Sequence, residues 1–295
     1  VTHVGSSSWT AIMSCFLLPS RRPGRRERRC TIMLGFEQLT AAYFVVLGVA
    51  ASISAATRAR VTKVILLTAG AALLVVCAAA ILPAAIRPWL AHGYLAAGYW
   101  IPALLVSPPR AGAFESWLVR TDAVARRAFT FALPRWCVDL LELSYVLCFP
   151  ALPVSFLGVW THGSPADVDR FWVAVLASGF VCYGTLPWLV SRPPRLLDRP
   201  PSDHGAMGRF NAAVLARVSH GWNTFPSGHV AVSLAGALSV LSVWPAAGAL
   251  LCVVATGVAI GAAAGRYHYV ADVAAGVVVA ILCTAAAAMV TSPGS

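Results

Sequence analysis

Long apolar runs broken by short polar connections set the pattern of this chain. A helix needs about 20 apolar residues to cross a hydrocarbon core of roughly 30 Å. Runs of about that length recur at residues 39–56, 64–85, 92–106, 138–160, 171–190, 227–244, 247–264 and 269–290. The pattern predicts an all-α protein, a polytopic transmembrane helix bundle of about eight spans. The third run is short and contains Pro102; the fourth carries Asp139 and Glu142 near its start and Pro150 and Pro153 inside it. Between these two, residues 108–136 interleave Trp117, Leu118, Phe129 and Phe131 with Arg120, Arg126, Arg127 and Arg135. That mixture suits a helix lying in the membrane interface, or a solvated loop.

Composition agrees with the pattern. Of 295 residues, 59% are hydrophobic and 11% charged, where a soluble domain carries about 25% charged residues. The net charge of +11 comes almost entirely from arginine, since Lys63 is the only lysine. The arginines sit in the connections between apolar runs, so anionic headgroups and phosphate substrates are the expected partners and nucleic acid is not. Of the eight cysteines, Cys77, Cys148, Cys182, Cys252 and Cys283 fall inside apolar runs and no C-x-x-C spacing occurs. They read as small buried hydrophobes and indicate no metal site. Residues 1–32 differ from the rest: Arg21, Arg22, Arg25, Arg26, Arg28 and Arg29 crowd beside Pro23 and Gly24 without periodicity, and Met33 opens a smooth run into the first span. This leader is expected to be disordered or an artefact of start-site choice.

The one long polar connection, 191–225, holds Arg192, Arg195, Arg199, Asp203, His204, Arg209, Arg217 and His220. Alternation of spans puts this loop, His229 and His268 on the same side of the membrane. Three polar clusters far apart in sequence can thus converge on one pocket. Ser227, Gly228 and His229 follow Pro226 in the first turn of a span, where free N–H groups and the helix dipole favour an anion. Ser227 can cap the helix or donate to a phosphate oxygen, and Gly228 lets an anion approach the backbone. The bland reading is an ordinary helix start with a snorkelling histidine. His268 and Asp272, four apart, share one helix face. A carboxylate on one ring nitrogen leaves the other free as base or nucleophile; a structural pair at a helix end is the alternative. Arg192, Arg195 and Arg199 offer guanidinium forks to phosphate, or merely set topology. Arg266 stands two residues before His268.

In combination these strings resemble the type 2 phosphatidic acid phosphatase superfamily: Arg192-x6-Arg199-Pro200, then Pro226-Ser227-Gly228-His229, then His268-x3-Asp272. The resemblance runs from about Trp89 to the C-terminus. It implies a six-helix catalytic membrane domain over 89–295, and the first two apolar runs then form two N-terminal transmembrane helices over 33–88. One departure is clear: the family's arginine six residues before the third-motif histidine is Ala262 here, with Arg266 as a substitute. Asn223-x-Phe225-Pro226-Ser227 and Tyr267-His268-Tyr269 also resemble the branch that includes inositol phosphorylceramide synthases.

The resemblance implies that His268 attacks phosphorus to form a phosphohistidine, Asp272 orients it and His229 protonates the leaving oxygen. Arg192, Arg195, Arg199, Ser227, Gly228 and Arg266 hold the phosphate, with no metal or other cofactor. The expected substrate is a lipid phosphate or diphosphate of phosphatidate or polyprenyl type, with water or an alcohol as acceptor. A transporter of anionic lipid is the competing class, but binding a headgroup needs no carboxylate-oriented histidine. A metallohydrolase built on His204, His220, His229, His268 and Asp272 lacks a supporting motif. Positive charge on the loops points both ways depending on the leader; the resemblance implies a plasma-membrane protein with its site facing away from the cytoplasm.

Overall fold

A computed structural model describes residues 33–106, 112–127, 134–197 and 205–290. The leader 1–32 and Arg199 lie outside the described residues, as do Arg110, Phe129, Phe131, Asp203 and His204. The described residues form helices and no strand: α1 (Gly35–Ala51), α2 (Arg58–Ile81), α3 (Arg87–Ala103), α4 (Ala113–Arg127), α5 (Arg135–Val146), α6 (Cys148–His162), α7 (Pro165–Gly184), the single turn α8 (Pro194–Leu197), α9 (Ala206–Val218), α10 (Gly228–Val243), α11 (Pro245–Ala264) and α12 (Val270–Val290). Each of the apolar runs is helical over most of its length, and the chain is an all-α integral membrane protein. By length and apolarity alone, α2, α11 and α12 qualify as spans, and α5 with α6 adds a fourth broken by a 53° bend. The helices α1 and α10 are apolar but shorter, at 17 and 16 residues.

Local chemistry explains the boundaries. Pro150 has no N–H to give to the carbonyl four residues back, and its ring crowds that carbonyl. The run 138–160 therefore breaks at Leu147, between α5 and α6. Ser164 and Asp167 form a reciprocal capping box at the start of α7. Asp169 of α7 accepts the Gly35 and Phe36 N–H groups at 3.0 and 2.9 Å and so caps α1 from outside.

At the centre, α10 packs against α6, α7, α11 and α12. The core joins Phe156, Phe171, Trp172, Val175, Leu176 and Phe180 to Ala231, Val232, Ala235 and Val240 of α10. Small residues let these helices approach closely. At Gly276 of α12, a Cβ would come within 2.7 Å of the Ser227 carbonyl oxygen. Outward faces are large and apolar instead, with Leu66, Leu73, Leu74, Leu250, Val253, Ile281 and Leu282 exposed. Such a belt suits lipid rather than water.

Candidate active site

The starts of α10 and α12 meet at one end of the bundle. Ser227 donates its backbone N–H to the Asp272 carbonyl at 3.0 Å, tying the two motif segments together. His229 Nδ1 lies 3.4 Å from His268 Nε2. On the far side of the His268 ring, Nδ1 lies 3.4 Å from Asp272 Oδ2. That second distance is a contact rather than a formed hydrogen bond, and His268 Nδ1 and Asp272 Oδ1 are both buried without a partner. Asp272 Oδ2 accepts the Tyr269 N–H at 2.9 Å, which fixes the carboxylate in place. The His268–Asp272 pair is almost wholly shielded, at 5% and 0% side-chain exposure. A carboxylate with so little water strengthens its hold as the imidazole gains positive charge.

The turn that presents His268 is a Schellman motif. Tyr267 N–H returns to the Ala262 carbonyl at 3.0 Å and Arg266 N–H to Ala263 at 3.2 Å. Arg266 therefore sits at φ +58°, the position usually given to glycine. A side chain there costs about 1–2 kcal/mol. Ala262 is fully buried among Tyr145, Tyr267, Leu215 and Val230, so its side chain lies in an aromatic cluster beneath the histidines.

The first-motif loop is laced onto this turn. Arg195 donates its backbone N–H to the Arg266 carbonyl at 3.1 Å, and Tyr269 donates its hydroxyl to the Arg192 carbonyl at 3.1 Å. Asn223 binds Ser191 through backbone and side chain, both at 3.0 Å, bringing the segment before the second motif alongside. The Arg195 guanidinium lies 4.6 Å from the Tyr267 ring centroid and lines a small polar cavity with His229, His268, Thr224 and Trp222. Arg192 is held elsewhere: Glu115 of α4 accepts its Nη2 at 2.7 Å, its Nε at 3.2 Å and its backbone N–H at 2.9 Å. Those bonds keep the Glu115 carboxyl below the usual range. Ser227 Oγ is buried and unpartnered, available to an anion. The missing side chain of Gly228 has a packing reason as well, because a Cβ there would strike the Tyr183 ring.

Two carboxylates at the site were not singled out as site residues from the sequence. Glu115 and Asp122 lie seven apart on the buried face of α4, and Asp122 accepts the Val270 N–H at 3.1 Å. The signal was available: acidic residues at helical spacing in an otherwise arginine-rich stretch. Glu142 of α5 accepts the Tyr267 hydroxyl and, at 2.6 Å, the Asn211 amide. Burial is the main reason the Tyr267 hydroxyl is held above its ordinary pKa. His220 stacks on Tyr99 with ring centroids 4.2 Å apart, and burial lowers its pKa to about 4.

Beyond His229 a second, apolar cavity of about 300 Å³ runs between α3, α6, α7 and α10, lined by Leu95, Tyr99, Phe149, Leu152, Tyr183 and Val232 among others. His229 and Tyr99 face both cavities. A polar chamber under an arginine thus adjoins an apolar one, with His229 at the join and His268 on the polar side. Among the described residues, no group of three or more His, Cys, Asp or Glu side chains is arranged to hold a metal ion.

Comparison with known proteins agrees on the family. The chain matches none of the curated proteins and none of the solved structures it was compared with. Its residues 170–293 match the family model described as the PAP2 superfamily. The match spans α7 to α12 and with them all three motif segments, while α3 to α6 lie before it. Residues 170–293 are thus similar to the PAP2 superfamily, a match that supports an activity of the phosphatase or phosphotransferase type.

Proposed function

We propose that this protein is a membrane phosphatase for lipid phosphates that works through a phosphohistidine on His268. One observation carries the reading: two imidazoles stand 3.4 Å apart, His229 facing both cavities and His268 the polar one, and among the described residues only His268 is backed by a carboxylate. That asymmetry divides the labour. Asp272 behind Nδ1 stabilises the positive charge His268 acquires as a nucleophile. His229, with no carboxylate beside it among the described residues, serves as acid and then base.

In the first step His268 Nε2 attacks phosphorus. The bond from phosphorus to the lipid oxygen breaks, its electron pair stays on that oxygen, and the oxygen takes a proton from protonated His229. In the second step water attacks the phosphohistidine and gives a proton to His229. The phosphorus–nitrogen bond breaks, inorganic phosphate leaves and His268 is restored. The imidazoles touch in the resting site, so the phosphoryl group has to part them as it binds. Charge on its equatorial oxygens is met by Arg195, by Ser227 and the first-turn N–H groups of α10, and by Arg192, Arg199 and Arg266. The apolar cavity beyond His229 takes the hydrocarbon next to the leaving oxygen. In this reading the site faces away from the cytoplasm.

The test is phosphate release from dioctanoyl phosphatidate in detergent, with and without inositol. His268→Ala should lower release by at least about a thousandfold. Release equal to wild type would end the catalytic role of His268, and an inositol phosphate product would make the acceptor an alcohol.

A further inference from the structure

Helix α4 touches all three motif segments, although it lies outside residues 170–293. Glu115 holds both the guanidinium and the backbone N–H of Arg192, in the first motif loop. Phe114 and Trp117 pack edge-on against Phe225, directly before Pro226, with ring centroids 5.3 and 6.2 Å apart. Asp122 accepts the N–H of Val270, the first residue of α12 and two positions after His268. Glu115, Leu118 and Asp122 form the buried stripe of the helix, while Trp117, Arg120 and Val124 face outward.

We infer that α4 is a clamp that assembles the active site, with Glu115 and Asp122 as its positioning residues. This rests on the phosphatase reading above. The two acidic residues act on different parts of the reaction. Glu115 binds Arg192 side-on through Nε and Nη2. The guanidinium's remaining N–H groups are then oriented for a phosphate, as a flexible arginine alone would not be. Asp122 places a carboxylate at the positive N-terminus of α12, which fixes the turn carrying His268. Neither residue touches the reacting atoms. Their effect comes through geometry, and a small misplacement of reacting groups is costly.

The experiment uses the full chain in detergent with dioctanoyl phosphatidate. Glu115→Gln should raise KM about tenfold with kcat nearly unchanged, because it loosens a phosphate-binding arginine. Glu115→Asp, which keeps the charge, should recover part of that loss. Asp122→Asn keeps an oxygen for the Val270 N–H but removes the charge, and should lower kcat about tenfold with KM nearly unchanged. A merely structural role would not split the two constants this way. Active wild type beside folded variants within twofold of it in both constants would overturn the clamp alone. Wild type that releases no phosphate would overturn the phosphatase reading itself. Should Asp122→Asn fail to fold, the KM of Glu115→Gln decides.

Discussion

Two glutamate–arginine pairs stand at opposite ends of the bundle, and their surroundings give them different work. Away from the histidines, Glu37 of α1 meets Arg87 of α3 at 3.1 Å, with 1% and 5% of the side chains exposed. Glu37 also receives the Leu34 N–H at 2.7 Å, so the pair is sealed into the starts of α1 and α3. At the histidine end Glu115 meets Arg192 at 2.7 Å; the carboxylate is buried, yet 39% of the arginine remains exposed. Both pairs combine the same two residue types. The sealed arginine can only clip helices together, whereas the open one is accessible, and the proposed mechanism gives it an incoming anion. Accessibility, not charge, is what separates the two pairs.

The comparison breaks if the pairs respond alike to mutation. Arg87→Ala strands a buried carboxylate and should cost about 3–5 kcal/mol, read as a large fall in the melting temperature in detergent. Replacing both partners by Glu37→Leu with Arg87→Met should restore most of that loss. Arg192→Ala leaves Glu115 the backbone N–H of residue 192, so it should lower melting less than Arg87→Ala does while cutting kcat/KM about a hundredfold, the scale of losing one strong oxyanion donor.

Acid sharpens the contrast at the histidine end. His220 titrates at about 4 in the folded protein because burial disfavours its charged form, against an ordinary value of 6.5. Between pH 6.5 and 4 the unfolded chain takes up a proton that the folded chain refuses. Stability therefore falls as pH falls across that window, by on the order of 2 kcal/mol. His220→Phe should remove this slope while keeping an aromatic ring against Tyr99. The smallest expected effect is at Arg266. Arg266→Gly relieves a left-handed backbone and should stabilise by about 1 kcal/mol. If the side chain binds phosphate, the same change should lower activity several-fold, so stability and activity move in opposite directions.

Much of this was legible in the chain because apolar length and motif placement are local properties. Each apolar run became helix over most of its length, and alternation of spans alone put the arginine loop, His229 and His268 at one end. What escaped depends on distant partners. In sequence Arg192 reads as a phosphate or topology arginine without a partner, since its carboxylate lies 77 residues earlier, in a stretch that reads as an interfacial helix or a solvated loop. Glu142 was visible near a span start, but its role needs Tyr267, 125 residues away. Ala262 looked like a gap in the third motif. The structure gives its position a packing role, under the tyrosines that wall the polar cavity.

The central claim is covalent, so the most direct measurement is rapid quenching of the enzyme with a radiolabelled lipid phosphate. Label should appear on the protein before inorganic phosphate, survive alkali, be lost in mild acid, and map to the peptide containing His268. In His229→Ala label should form more slowly, since the acid of the first step is gone, and once formed should persist, because the base for the second step is gone too. Phosphate released from active enzyme with no labelled protein at any time, or label on a peptide lacking His268, would contradict the account.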